Sequence, residues 1–286
     1  MATVHKATID LFDQIYPLIE AFGIESVSRE DWVQLLSKHW FPDHNHFGYV
    51  LKEGDQVVGF LGAFFSERNI GGKQFSFCNL FCWQVLEDYR KESLLLLRPV
   101  LNVPDMIITS LTPSEVASVI FERFKFKKLE HQVMIFPLLP TLPLQSDIEF
   151  VTDPRLIESQ LTDDDKKIFA NHSLSSCCHL LLTRPREENY CYLLYTRIRK
   201  KGLHFTQICF ISDKDLFSKS FARLKWLFLR QNRTVFTIVD KRLVTDCKLG
   251  LGFDYTLRRP RLYRSDTLQP EEIDNLYNEI LLLKCV

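Results

Sequence analysis

The sequence predicts an α/β protein of two lobes, each a mixed, mostly antiparallel twisted sheet flanked by helices. Three observations carry this reading. The chain has 286 residues, 46% of them apolar, a length for one large or two modest domains, with two the expectation. Apolar runs of strand length alternate with stretches of helical period. The order of elements in the first half then recurs in the second at a shift near 130 residues, the mark of an internal duplication. Ten glycines in such a length are about half the usual share and 23 phenylalanines are many, which excludes collagen-like, linker-like and disordered chains.

In chain order, Ile9, Phe12, Ile15, Tyr16, Ile19 and Phe22 recur at three and four, one face of an amphipathic helix running from Thr8 to Gly23. Ser28 with Asp31 three residues on reads as a near capping box opening a second helix, whose buried stripe is Trp32, Leu35, Leu36 and Trp40. Between Gly48 and Val85, apolar runs joined by Glu53-Gly54-Asp55 and Asn69-Ile70-Gly71-Gly72 read as a meander of antiparallel strands. Ser93 to Leu101 reads as a short apolar helix that Pro99 kinks or ends, and Asp105 to Leu111 as a buried strand. Thr112-Pro113-Ser114-Glu115 reads as a helix start with a threonine cap, and Val116, Ile120, Phe121 and Phe124 as the buried side of that helix. Phe124 to Glu130 and Gln132 to Leu139 read as a closing strand pair, followed by a proline-bearing linker. The predicted lobes are therefore residues 1–140 and 141–286.

In the second half, a hairpin around Lys200-Lys201-Gly202 matches the Gly71-Gly72 turn at a shift of 130, which sets Cys209 on Asn79. Phe217 to Leu229 corresponds to the helix after Tyr89, and Thr234 to Asp240 corresponds to Asp105 to Leu111.

The segment Val85-Leu86-Glu87-Asp88-Tyr89-Arg90, together with Ala117, Phe121 and Phe126, resembles the GNAT-type acyl-CoA N-acyltransferase superfamily over about residues 3–140. The wider string around CNLFCWQV, YR and SLLLL is similar to tandem GNAT-like proteins of bacterial exopolysaccharide gene sets. The resemblance implies two tandem GNAT-like lobes, the first an acyltransferase lobe and the second a degenerate one. It implies acyl-CoA, acetyl or longer, as co-substrate. Its pyrophosphate would lie against Val85, Arg90, Lys91, Glu92, Ser93, Leu94 and Leu95, held by backbone N–H groups at a helix start. The acyl group would pass to an amine or hydroxyl of a sugar or small metabolite. This chain departs from the superfamily pattern in lacking glycines over Arg90 to Leu95 and in carrying Phe121 where a tyrosine hydroxyl often protonates the departing thiolate. A catalytically inactive binding or scaffolding module is the alternative.

Acyl transfer needs a held thioester, a donor toward its carbonyl and a route for the acceptor's proton. On the third apolar run, strict alternation puts Phe75, Phe77, Asn79, Phe81, Trp83 and Val85 on one face and Ser76, Cys78, Leu80, Cys82 and Gln84 on the other. Asn79, the one strongly polar member of an aromatic face, is the candidate to orient the thioester, and Glu67 at the end of the preceding run is the candidate base. Cys78 and Cys82 read as buried core residues, with no adjacent base to activate them. His39, Asp43, His44 and His46 fit no metal-ligand spacing, nor does Cys177-Cys178-His179, so no metal is expected. Arg258, Arg259, Arg261 and Arg264 read as an exposed strand face. Thirty-six basic residues balance thirty-six acidic ones, which gives no overall field for nucleic acid. No apolar run has signal-peptide or membrane-spanning length, and eight cysteines without an export signal suit a reducing compartment. The expectation is a cytoplasmic protein without a membrane span.

Overall fold

The computed structural model describes residues 2–23, 27–38, 40–41, 44–138, 147–173, 176–185, 187, 189–200 and 202–282. The elements run β1 (Thr3–Lys6), α1 (Phe12–Glu20), α2 (Arg29–Leu36), β2 (Gly48–Glu53), β3 (Gln56–Ile70) and β4 (Lys73–Val85). A 3-10 segment, Glu87–Leu96, then leads into α3 (Arg98–Leu101), β5 (Ile107–Ser110), α4 (Glu115–Arg123) and β6 (Lys127–Leu129). They continue with β7 (Gln132–Pro137), β8 (Glu149–Val151), α5 (Pro154–Gln160), α6 (Asp163–Asn171), β9 (Cys178–Thr183), β10 (Tyr190–Lys200) and β11 (Leu203–Ile211). The chain closes with α7 (Lys214–Asn232), β12 (Phe236–Asp240), β13 (Phe253–Thr256), β14 (Arg261–Arg264) and α8 (Glu279–Leu282). Among the described residues, no helix is long and apolar enough to cross a membrane.

Two compact units emerge, one of Met1–Leu129, Arg259–Gln269 and Tyr277–Val286, the other of Glu130–Arg258 and Pro270–Leu276. Each is built on a seven-stranded mixed sheet, ordered β1-β2-β3-β4-β5-β14-β6 in the first and β8-β9-β10-β11-β12-β7-β13 in the second. The two orders are the same pattern. In each sheet one pair is parallel, β4 with β5 and β11 with β12, and the other pairs are antiparallel. The sixth position of each sheet is filled from the other half of the chain, by β14 in the first and β7 in the second. The duplication is thus expressed as two equivalent sheets with one strand exchanged between them.

Local chemistry accounts for most elements. Ser28 and Asp31 form both bonds of a capping box at α2. Gly71 and Gly72, at φ +58° and +79°, make the two-residue turn between β3 and β4, and Gly202 at φ +80° serves the matching turn between β10 and β11. The parallel step from β4 to β5 crosses through the 3-10 segment and α3, and the step from β11 to β12 through the 19-residue α7.

Several expectations are corrected. β1, four residues long with Val4 its one apolar side chain, lacks the run that would announce a strand. The first helix opens as a 3-10 turn at Ile9–Leu11, leaving Ile9 exposed. β6 and β7 do not pair with each other, since β6 joins β14 and β7 joins β12 and β13; Leu139 lies outside the described residues. Ser114 rather than Thr112 caps α4, its side chain accepting from the Ala117 N–H, and Val116 points to solvent. The basic run is not one exposed face, because Arg261 is buried in β14.

The face of β4 is corrected too. A bulge opposes Cys82 and Trp83 to Leu61, with Phe81 paired to Gly62 and Gln84 to Phe60, and Cys82 takes φ +46°. One extra residue reverses the alternation beyond it. Val85 therefore joins Cys78 and Leu80 in the core under α3 and α4, with Trp83 packed against it, whereas Phe64 and Phe81 stack at 4.1 Å outside that cluster.

Candidate functional site

The feature that organises the first unit is the end of the β4–β5 ladder partway along β4. Their ladder holds Phe77 to Ile107, Cys78 to Ile108 and Asn79 to Thr109, and goes no further. β4 continues to Val85 and β5 ends at Ser110, so the stretch of β4 beyond Asn79 has no partner in β5.

A buried polar cluster sits at the fork. Thr109 Oγ1 donates to Asn79 Oδ1 at 3.0 Å, and Asn79 Nδ2 donates to Glu279 Oε2 at 2.5 Å. Thr112 Oγ1 donates to the other oxygen, Glu279 Oε1, at 2.7 Å. The asparagine amide is thus satisfied at both ends, which is what its burial demands. Glu279 is carried in by the last helix. Asn278 caps that helix, its Oδ1 accepting from the Ile280 and Leu281 N–H groups, and every residue from Tyr277 to Leu282 is buried. The ring of Tyr277 meets Trp40 at 5.5 Å.

Burial pushes the Glu279 carboxyl above its ordinary value, while the bonds from Thr112 and Asn79 pull the other way. The arrangement offers a carboxyl with enhanced basicity, fixed by two donors, one on each side of the fork.

The aromatic layer beside Asn79 depends on glycine at one point. A Cβ on Gly62 would lie 2.5 Å from the Phe81 ring, so only glycine lets that ring lie against β3, where it stacks on Phe64 at 4.1 Å and on Trp32 at 6.2 Å.

The structure does not bring Glu67 to Asn79. Glu67 is paired with Ser76 and Asn79 with Phe64, which separates them by three residues along the sheet, about 10 Å, on opposite faces. Glu67 Oε2 accepts from Gln74 at 2.8 Å. Val85 is buried at the end of β4. The residues that follow it form a continuous 3-10 segment, in which N–H groups bond to carbonyls three residues back. Arg90 is exposed and pairs with Glu87 at 3.7 Å, and Lys91 and Leu94 are exposed. Ser93 and Leu95 are half-buried, and Glu92 accepts from the Ala2 N–H at 3.1 Å.

Cys78 is wholly buried, and burial raises its thiol far from any thiolate, as the core reading expects. His39 and Asp43 lie outside the described residues. His44 stacks on Phe65 at 4.1 Å, and His46 Nδ1 bonds to the Gly48 carbonyl at 3.0 Å. In the second unit His179 pairs with the Tyr192 hydroxyl at 2.7 Å.

Sequence reasoning missed Glu279, Thr109 and Thr112. The available signal was the lone carboxylate in the apolar run Leu276 to Leu283, a charge that a buried helix does not carry without a partner.

No known family profile matches the chain, and no curated protein matches it in sequence. Solved structures do match its fold. A GCN5-related N-acetyltransferase from Anabaena variabilis aligns at TM-score 0.64 and 11% identity, covering 93% of this chain and 73% of that one. A GCN5-related N-acetyltransferase from Kribbella flavida aligns at 0.59 and 15%, covering 93% and 72%. N-myristoyltransferase from Saccharomyces cerevisiae, a structure with bound myristoyl-CoA, aligns at 0.50 and 10%, covering 96% and 84%. The two sheets with their flanking helices are two lobes of the GNAT fold.

Proposed function

We propose that this protein transfers an acyl group from acyl-CoA to an amine or hydroxyl of a small molecule, a sugar among the candidates. The observation that carries the reading is the fork itself: two parallel neighbours whose ladder stops at Asn79 and Thr109 while β4 runs on, with the buried carboxyl of Glu279 bonded to Asn79 and Thr112. The solved structures of the same fold support it by analogy.

The residues present fit the arm of an acyl-CoA. Beyond Asn79, β4 has no partner in β5, and an extended chain bearing amides can lie along such an edge as an added strand. Bound there, acyl-CoA supplies a thioester carbonyl open to attack. The phosphates fall toward Val85 to Leu95, where the Arg90 and Lys91 side chains supply the positive charge, since a 3-10 segment has few N–H groups to spare. Asn79 fixes Glu279, and Glu279 takes the proton of the attacking amine or hydroxyl as the new acyl bond forms, then returns it to the CoA thiolate released when the thioester C–S bond breaks. Glu67 is left with no part in the chemistry.

A second reading, a non-catalytic GNAT-like module, is favoured by Glu87 and Asp88, whose acidic side chains stand at the start of the 3-10 segment and repel an anion. Calorimetry with acetyl-CoA and longer acyl-CoAs separates the two. Saturable binding, with thiol release once an acceptor is added, is the expected result. Folded protein that binds none of them at millimolar concentration refutes acyl transfer and leaves the module.

A further inference from the structure

Trp83 carries a buried donor that no described residue accepts from. Its indole Nε1 is shielded from solvent and has no hydrogen-bond partner among the described residues. Its ring packs against the core cluster that contains Leu80, Val85 and Leu96, 5.6 Å from the ring of Phe121 on α4. Leaving a buried N–H unpaired is costly, and native structures seldom do so without a reason.

Two further observations give the reason a direction. Trp83 lies on β4 beyond the last pair with β5, where the strand has no partner in β5. It faces the helices because of the bulge at Cys82, whose φ of +46° is a conformation that residues with side chains rarely adopt. Without the bulge, Trp83 would fall on the face of Asn79 and Phe81. The chain thus holds a strained residue, and the outcome is an indole ring set beside Phe121, which has no hydroxyl to offer.

We propose that the Trp83 indole N–H is the anchoring donor for the acyl-pantetheine arm, accepted by a carbonyl oxygen of its amides or of the thioester. The proposal rests on the acyl-donor reading above and adds the residue that recognises the arm. Trp83 is a binding residue here, since an indole N–H donates a hydrogen bond without giving up its proton.

The test compares the affinities of wild-type protein and Trp83→Phe for acetyl-CoA and for free CoA by calorimetry. One lost neutral hydrogen bond weakens binding by roughly 3- to 10-fold. Equal losses for both ligands assign the bond to an arm amide, and a loss confined to acetyl-CoA assigns it to the thioester. Indole proton–nitrogen NMR of the wild-type protein gives a readout independent of the variant's folding. Of the four tryptophan indole signals, one moves downfield when ligand is added. If no indole signal moves, or if a folded Trp83→Phe binds both ligands as tightly as wild type, the proposal is overturned while acyl-donor binding stands. If the wild-type protein binds neither ligand, both fall.

Discussion

Replacing Glu279 by glutamine and by alanine separates its chemistry from its packing. The alanine variant leaves the Asn79 amide donor and the Thr112 hydroxyl without the oxygens they now meet at 2.5 and 2.7 Å. Two orphaned buried donors cost about 1–3 kcal/mol each, so Glu279→Ala loses roughly 2–6 kcal/mol of stability. Glutamine keeps the length and an acceptor oxygen for Asn79, and it turns an N–H toward Thr112, whose hydroxyl can accept. Because burial raises the Glu279 carboxyl, the folded state holds a proton that the unfolded state has released once the pH passes the ordinary value of 4.5. Wild-type stability therefore falls as pH climbs from there through the raised value, and levels off above it. Glu279→Gln lacks that loss, so it matches wild type at low pH and equals or exceeds it above the window. Its acyl-transfer rate, in contrast, drops by about 10²–10⁴-fold, the usual worth of a positioned base. Thermal unfolding across pH and thiol release measure the two effects. A glutamine variant that transfers acyl groups at the wild-type rate refutes the base, and one whose stability follows the wild-type pH profile refutes the buried titration.

His179 is held down to about 4 by burial, so the second unit keeps its full stability above the ordinary histidine value near 6.5 and loses up to about 3 kcal/mol as pH falls toward 4. His179→Gln flattens that limb in a pH series of denaturant melts, and an unchanged limb contradicts the assignment. Gly62→Ala sets a methyl 2.5 Å from the Phe81 ring and costs about 1–3 kcal/mol by overpacking; an unchanged melting temperature would mean that the ring moves freely. Arg242 is buried, paired with Asp240 at 2.8 Å and bonded to the Ile273 carbonyl at 2.7 Å, so Arg242→Ala takes the cation away from the buried Asp240 carboxylate, which keeps the Asn275 amide at 2.9 Å, and destabilises the second unit by about 3–5 kcal/mol. A loss below 1 kcal/mol, read from denaturant midpoints, would refute that.

What the sequence disclosed was what local chemistry determines. The capping box at Ser28 and Asp31, the turn at Gly71 and Gly72 and its counterpart at Gly202 are each decided by a few neighbouring residues. Asn79 was legible as a buried amide because its aromatic neighbours on β4 imply burial. Trp83 was assigned to the wrong face because the bulge turns on Cys82, and a cysteine at φ +46° gives none of the warning that a glycine or asparagine would. β14 was read as an exposed strand because Arg261 and Arg264 flank only two apolar residues. No local pattern says that Leu262 will pair with Ser110 on one side and Lys128 on the other.

The carboxyl at the fork is the extreme case of the same limit. Glu279 stands 200 residues from Asn79 and 167 from Thr112, and it reaches them only because the chain, after completing the second sheet, returns to the first unit twice, as β14 and again as the segment from Tyr277. Each return fills a need that the first 129 residues cannot meet. β14 provides the strand between β5 and β6, and α8 provides the acceptor oxygens that Asn79 and Thr112 donate to. The strand exchange and the site are therefore one design. A lobe whose sheet is completed by a late stretch of the chain can have its fork completed from there as well, by a segment that is itself buried from Tyr277 to Leu282.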